Sequence, residues 1–117
     1  MQTRTLRFNY EFSRIYRKGK FAAGHYVVVH YLRRPGSPGR VGVTASRKVN
    51  GSVQRNRVKR LLRESYRLVE NRVQEGYDLI LVARQTDDRP GMRQVQTDLL
   101  KVLRRARLLK PEGETSE

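Results

Sequence analysis

The stretch from Arg55 to Val69 separates into two faces when it is wound as an α-helix, and this separation constrains the fold more than any other feature. With about 100° between successive residues, the cations and Asn56 fall between roughly 0° and 200° from Arg55, and the apolar residues fall between roughly 220° and 340°. The first set is Arg55, Asn56, Arg57, Lys59, Arg60, Arg63 and Arg67, and the second is Val58, Leu61, Leu62, Ser65, Leu68 and Val69. We therefore expect a helix that docks on a sheet by one face and keeps a cationic face in solvent.

The cationic face predicts binding to a polyanion. Solvated helices usually pair acids with cations at four-residue spacing, but Glu64 is the only acid between Arg55 and Arg67. The whole chain has 26 Lys and Arg against 11 Asp and Glu, a net charge of +15 over 117 residues. Residues 40–67 hold nine cations and one acid, whereas residues 68–100 hold four cations and six acids. This uneven distribution indicates one binding side, with nucleic acid as the leading partner.

Length and composition limit the remaining possibilities. The chain is long enough for one domain with a modest core, which we place at residues 1–109, and residues 110–117 have the composition of a disordered tail. Cysteine is absent, which excludes disulfides and thiolate metal sites and fits a reducing cytosol. No apolar run is long enough for an export signal or a membrane span.

The periodicity of the chain predicts an α+β protein. Helical spacing from Asn9 ends at Gly19, and a turn-rich segment around Pro35 to Gly39 separates two strands with alternating faces. The predicted order is α-β-β-β-α-β-α, with a helix near 9–18, strands near 20–23, 26–33 and 40–46, a helix at 52–74, a strand at 78–83 and a helix ending near 107.

Four blocks of the chain stand in an order and spacing typical of one family. They are residues 12–19 (FSRIYRKG), 41–48 (VGVTASRK), 55–64 (RNRVKRLLRE) and 77–84 (YDLILVAR), with Leu6 upstream. In these blocks the chain resembles the protein subunit of bacterial ribonuclease P, over residues 6 to about 108. The resemblance implies a single-domain α+β sandwich like domain 2 of ribosomal protein S5, with a left-handed βαβ crossover where a right-handed one is the general rule.

The resemblance also implies a function. Proteins of this family bind a catalytic RNA, ribonuclease P RNA, and the complex removes the 5′ leader from precursor tRNA in the bacterial cytoplasm. The catalytic centre belongs to the RNA, and Mg²⁺ is bound mainly by the RNA and the substrate, so we expect no catalytic residue, no metal site and no obligate protein partner here. The sequence agrees, because its basic half offers only Glu11 and Glu64 as carboxylates, too few for a two-metal nuclease.

The family's binding residues carry over to two places in this chain. The helix residues Arg55, Asn56, Arg57, Lys59, Arg60, Arg63 and Arg67 are expected on the catalytic RNA. The single-stranded leader is expected in a cleft between the first helix and the sheet, at Phe12, Tyr16, His30, Arg47 and Lys48. His30 departs from the family, since this position is aromatic in some relatives.

Two other classes of function remain open at this stage. A ribosomal or architectural RNA-binding protein would have the same charge and fold class but would need only one RNA surface. A stand-alone nuclease is disfavoured by the shortage of carboxylates and by the lack of a histidine pair suited to acid and base catalysis.

Overall fold

A computed structural model describes residues 4–6 and 9–111. This part of the chain contains five strands, three α-helices and one short 3-10 turn. They are β1 (Arg4–Thr5), α1 (Asn9–Lys18), β2 (Lys20–Ala23), β3 (Val27–Arg33), β4 (Arg40–Ala45), α2 (Ser52–Val69), the 3-10 turn Glu70–Arg72, β5 (Tyr77–Ala83) and α3 (Met92–Arg105). The predicted α+β order is confirmed, and the structure adds the two-residue strand β1 before the first helix.

The strands form one sheet in the order β1-β4-β5-β3-β2, with β5 in the middle. β5 runs parallel to β4 and antiparallel to β3. The parallel pair is joined through α2, so β4, α2 and β5 form the expected crossover unit, whose left hand stays a prediction. Leu79, Ile80 and Leu81 of β5 are consecutive apolar residues that are all at most 1% exposed, so both faces of this strand are covered.

Helices α2 and α3 cover one face of the sheet. Alternate residues of β3 and β5, such as Val29 and Leu81, meet Leu62 of α2 and Leu99 of α3 in the larger of two apolar clusters. These side chains are fully buried, and replacing one of the leucines by alanine would cost about 2 to 5 kcal/mol. The face of α2 that carries Val58, Leu61 and Leu62 is therefore the docking face, as the periodicity predicted.

Among the described residues, α1 is the one helix on the opposite face of the sheet. Ile15 packs there with Leu6 and Ile80 in the smaller apolar cluster, and Phe12 and Leu32 lie against it. A polar contact ties the same helix to the sheet, because the Arg40 guanidinium on β4 contacts both Glu11 of α1 and Asp78 of β5. One helix is too narrow to cover five strands, so part of this face stays open.

The turn between β2 and β3 is held from α3. The buried Asp98 carboxylate accepts hydrogen bonds from the backbone N–H groups of His25, Tyr26 and Val27, at 3.1, 2.9 and 3.0 Å. Gly24 lies directly against this carboxylate, and a Cβ there would stand 2.5 Å from an Asp98 oxygen. The absence of a side chain at Gly24 therefore lets the turn approach the acceptor closely.

The structure corrects several details of the sequence prediction. Helix α2 ends at Val69 rather than near residue 74, because the chain tightens into the 3-10 turn and Val73 then pairs with Leu109. Leu68 was expected on the docking face but is 64% exposed. The N–H of Lys110 donates to the Arg72 carbonyl at 2.7 Å, so backbone hydrogen bonding to the rest of the fold extends to Lys110. Of the predicted tail, residues 112–117 lie outside the described part of the chain.

No helix within residues 4–6 and 9–111 combines the length and the apolar character that a membrane crossing requires.

Candidate nucleic-acid interfaces

The outer face of α2 carries a row of exposed polar and cationic side chains. Measured from Arg55, its members lie at about 80° to 140° around the helix. Within the described residues, none of the arginines in the row forms an ion pair with a carboxylate. The first turn of α2 has no acid, so the positive end of the helix dipole adds to the charge. We call this row the α2 outer face: Asn56, Arg60, Arg63 and Arg67.

Three of the predicted RNA-binding cations lie beside the α2 outer face and are partly buried. The Arg55 guanidinium donates to the carbonyl oxygens of Ser46 at 2.8 Å and Ala45 at 3.2 Å, which closes the connection between β4 and α2. Arg57 donates to the carbonyl of Pro90 at 3.1 Å, in the loop before α3. Lys59 lies on the same side of the helix as Arg55. Two of the three cations thus use part of their hydrogen-bonding capacity within the protein.

The sheet face under α1 is ordered in rows that cross the strands. Pairing of the strands places Gly42, Ile80, His30 and Phe21 in one row. The next row, towards the carboxyl end of β4, consists of Thr44, Val82, Val28 and Ala23, and all four are only partly buried. The first row meets α1 and the second lies beside it. The open strip beside α1, together with the aromatic side chains at its edge, lies where the leader-binding cleft is predicted, and we call it the cleft.

Phe12 closes one end of the first row. It is partly buried over Gly42, where a Cβ would stand 2.6 Å from its ring atom Cζ. The ring therefore needs a residue without a side chain beneath it, and it both packs in the smaller apolar cluster and borders the cleft.

Three aromatic rings meet at the other end of the row. Tyr16 of α1 contacts His30 edge to face, with ring centroids 4.7 Å apart, and Phe21 of β2 lies 5.6 Å from His30 on its other side. Tyr16 is 46% exposed and Phe21 is 66% exposed, so both offer ring surface to solvent. A single-stranded base could stack on such surfaces without regard to its sequence.

Partial burial favours the uncharged forms of the His30 and Tyr16 side chains. It lowers the pKa of His30 below its usual value of 6.5, so the imidazole is neutral at neutral pH. It also raises the pKa of the Tyr16 hydroxyl, which stays protonated. The three rings thus form an uncharged stacking surface within a strongly cationic protein.

Arg47 and Lys48 lie in the turn that follows β4, at the end of the open strip. Both are exposed, and the N–H of Lys48 is held by the Ser46 hydroxyl oxygen at 3.2 Å. Arg84 follows β5 at the same edge of the sheet, and its guanidinium donates to the Gly24 carbonyl at 2.6 Å. Cations therefore border the aromatic cleft at one edge, where a phosphate backbone leaving the rings would meet them.

Phe21 is a cleft residue that sequence reasoning missed. Its strand was predicted correctly at residues 20–23, but the pairing of Phe21 with His30 depends on the register of β2 against β3. An exposed phenylalanine on a short edge strand was the available signal, and it has meaning only once the register is known.

Four carboxylates of the described chain, those of Glu11, Asp78, Asp88 and Asp98, take part in structural contacts. Among residues 4–6 and 9–111, no three His, Asp or Glu side chains are grouped so that they could hold a metal ion. Glu11 and Asp78 bind Arg40, and Asp98 holds the turn at Gly24. Asp88 accepts a hydrogen bond from the Tyr26 hydroxyl at 2.6 Å, which lowers the pKa of this carboxyl group. The described residues thus do not fit a dedicated Mg²⁺ site.

Fold, charge and cleft together define the class: a small basic α+β protein with surface chemistry suited to nucleic acid. The family model described as Ribonuclease P matches residues 1–107. The ribonuclease P protein component of Natranaerobius thermophilus is 42% identical over 105 residues, which cover 90% of this chain and 91% of that protein. The corresponding protein of Alkaliphilus oremlandii is 40% identical over 104 residues, covering 89% and 91%.

Solved structures give the same answer. The structure of the Staphylococcus aureus RNase P protein superimposes with a TM-score of 0.80 at 29% identity, covering 93% of this chain and all of that one. The RNase P protein from Thermotoga maritima gives a TM-score of 0.76 at 28% identity, covering 89% and 97%. The chain belongs to the ribonuclease P protein family, and it is therefore a protein component of a ribonucleoprotein endoribonuclease.

Proposed function

We propose that this chain binds ribonuclease P RNA through the α2 outer face and the single-stranded 5′ leader of precursor tRNA through the cleft beside α1. The observation that carries the proposal is the position of the two surfaces: α2 packs on one face of the sheet, and the aromatic cleft opens on the other. A protein with two such surfaces can hold two RNA segments at once. An architectural RNA-binding protein needs only one.

The α2 outer face would act mainly through phosphate contacts. Each guanidinium that reaches a phosphate releases condensed counterions, so affinity should fall steeply as salt rises. Asn56 adds a neutral donor and acceptor at the amino end of the same row. Because Arg60 makes no ion pair with a described carboxylate, its charge is available to RNA without breaking an internal contact.

The cleft would bind the leader by stacking. Tyr16, Phe21 and His30 offer neutral rings, each worth about 1 to 3 kcal/mol per stacked base, and Arg47 and Lys48 attract the backbone that joins the bases. Stacking of this kind does not select a base, which suits a subunit that must accept many different leaders. Mature tRNA lacks the leader, so the cleft would favour the precursor.

The RNA, and not this protein, would carry the catalytic centre for cleavage of the precursor. Since the described residues hold no carboxylate cluster for a metal, the Mg²⁺ needed for phosphodiester hydrolysis would be held by the RNA and the substrate. The protein's contribution would be positive charge and positioning, which lower the concentration of Mg²⁺ that the RNA requires. We propose the bacterial cytoplasm as the place of action, without an obligate protein partner.

The test is reconstitution. Cleavage of a 5′-extended precursor tRNA by a bacterial ribonuclease P RNA is measured at low Mg²⁺, with and without the protein. We expect cleavage only when both are present, and no stimulation would favour the architectural RNA-binding class instead. Cleavage by the protein alone would favour the stand-alone nuclease.

Variants then assign each surface. Arg60→Ala should weaken RNA binding and lower the slope of log Kd against log salt by about 0.7 to 0.9. Lys101→Ala, an exposed cation of α3 with the same charge change, is the matched control and should leave the slope unchanged. Tyr16→Ala with Phe21→Ala should reduce affinity for the precursor and not for mature tRNA, and an equal loss for both ligands would contradict the cleft assignment.

A further inference from the structure

A cavity of about 260 Å³ lies beside α2, on the side of the sheet away from the cleft. Its floor is apolar and includes Val27, Leu62 and Val95, all of them buried. Its rim is polar and is formed by the loop from Arg84 to Pro90 on one side and by Gln54 and Arg57 of α2 on the other. The proposed function makes no use of this cavity.

The size and walls of the cavity suit a single flat ring system. Pockets that hold drug-sized molecules measure about 300 to 1,000 Å³, so this one is too small for a whole nucleotide, whose sugar and phosphate would stay outside. An apolar floor with polar groups at the rim is the arrangement that buries a base by its faces and reads its edge by hydrogen bonds.

The cavity opens next to the α2 outer face. Arg57 lies between the cavity and the α2 outer face. Its guanidinium donates to the Pro90 carbonyl at 3.1 Å, and its position around the helix is only about 60° from that of Arg60. An RNA strand that crosses the α2 outer face therefore passes the rim of the cavity. One unpaired base turned out of that strand would face the opening of the cavity.

The hydrogen-bonding groups at the rim favour one base over the others. Asp88 is engaged by the Tyr26 hydroxyl at 2.6 Å, whereas the neighbouring Asp87 carboxylate makes no side-chain hydrogen bond within the described residues. A carboxylate can accept two hydrogen bonds side by side. Guanine presents two adjacent donors, N1–H and N2–H, while adenine, cytosine and uracil each place an acceptor beside the donor on that edge and would be repelled.

We propose that this cavity binds one unpaired guanine of ribonuclease P RNA, with the Asp87 carboxylate accepting from its N1–H and N2–H groups. The inference rests on the proposed function, since the RNA must first lie on α2. It adds a base-specific contact to an interface otherwise made with phosphates. Such a contact would fix the register of the protein on the RNA, which charge alone cannot do.

The first test is a chemical footprint with the full-length protein and a bacterial ribonuclease P RNA. Kethoxal modifies the N1 and N2 edge of unpaired guanine, so the parent protein should protect one guanine that Asp87→Asn leaves reactive. Asp87→Asn should also raise Kd roughly 10-fold with no change in salt slope, because no phosphate contact is lost. The matched control is Glu75→Gln, the same carboxylate-to-amide change at an exposed residue before β5 that does not line the cavity, which should keep the guanine protected.

The second test exchanges the base. Replacing the protected guanine by adenine should weaken binding of the parent protein, and Asp87→Asn should recover it, because an amide offers both an acceptor and a donor to adenine. Unchanged affinity and footprint for Asp87→Asn, while Arg60→Ala still loses affinity, would overturn the cavity assignment alone. Absence of RNA binding by the parent protein would instead overturn the proposed function.

Discussion

The ion cluster around Arg40 gives the most specific stability prediction. Its guanidinium donates to Asp78 Oδ2 at 2.8 Å and to Oδ1 at 3.4 Å, and it also binds Glu11 of α1. The Asp78 side chain is 3% exposed and that of Arg40 is 18% exposed, so water screens the cluster weakly. These contacts raise the pKa of Arg40 above its already high value, and the Asp78 hydrogen bond is the largest cause. The Arg40 guanidinium is therefore charged at neutral pH.

The expected cost of breaking this cluster follows from its burial. Arg40→Met keeps most of the apolar stem but leaves the Asp78 charge buried, with only Arg34 at 3.9 Å as a partial replacement. Removing one partner of a buried ion pair typically costs about 3 to 5 kcal/mol. Because Arg34 is close, we expect the lower end, about 3 kcal/mol in the free energy of unfolding, or roughly 10 °C in Tm.

Urea unfolding followed by circular dichroism measures this cost. A double-mutant cycle with Arg40→Met, Asp78→Asn and the pair should show that the two losses are not additive, with a coupling of at least about 1.5 kcal/mol. Arg34→Met is the matched control, since it removes a more exposed cation from the same carboxylate and should cost less than about 1 kcal/mol. Equal effects of Arg40→Met and Arg34→Met, or additive losses in the cycle, would refute the argument.

Three further predictions concern single contacts. Asp98→Asn should cost about 2 to 3 kcal/mol in urea unfolding, because an amide oxygen cannot replace a carboxylate that accepts three backbone N–H groups; a loss below 0.5 kcal/mol would contradict this. Gly42→Ala should displace the Phe12 ring and cost about 1 to 3 kcal/mol, and calorimetry that finds no change in Tm would show that the ring has room to move. His30→Tyr should strengthen binding of single-stranded leader a few-fold at neutral pH, measured by fluorescence anisotropy, whereas weaker binding would mean that His30 does not stack.

The elements of this fold could be predicted because their local signals agree with their tertiary environment. β5 has an unbroken apolar run and lies at the centre of the sheet, and Leu62 and Val69 fall on the docking face of α2 that their spacing indicated. Strand β1 could not be predicted, since two residues carry no periodicity and are extended only because they pair with β4. The end of α2 is also set from outside, by the pairing of Val73 with Leu109.

The candidate sites were predicted in part, for a related reason. Sequence spacing places Arg60, Arg63 and Arg67 on one side of a helix, and this side is exposed. Spacing within a helix does not reveal that Arg55 would turn back to the carbonyls of residues 45 and 46. The contact of Phe21 with His30 could not be predicted, because His30 lies on another strand and the register between the two strands is not visible in the sequence. Contacts between distant segments decide which of the predicted residues remain available to a ligand.

The central place of β5 has a consequence for synthesis of the chain on the ribosome. β5 separates β4 from β3 in the sheet, although both precede it in the sequence. Until Tyr77–Ala83 has left the exit tunnel, no strand connects β4 to the β2–β3 hairpin by backbone hydrogen bonds. Asp98, which holds the turn between β2 and β3, lies 71 to 73 residues further along the chain and therefore emerges later still. We therefore expect the complete sheet to form late in synthesis. A nascent chain halted before Ala83 would present its basic α2 segment without a sheet to dock on, and it would attach to nearby nucleic acid by charge alone.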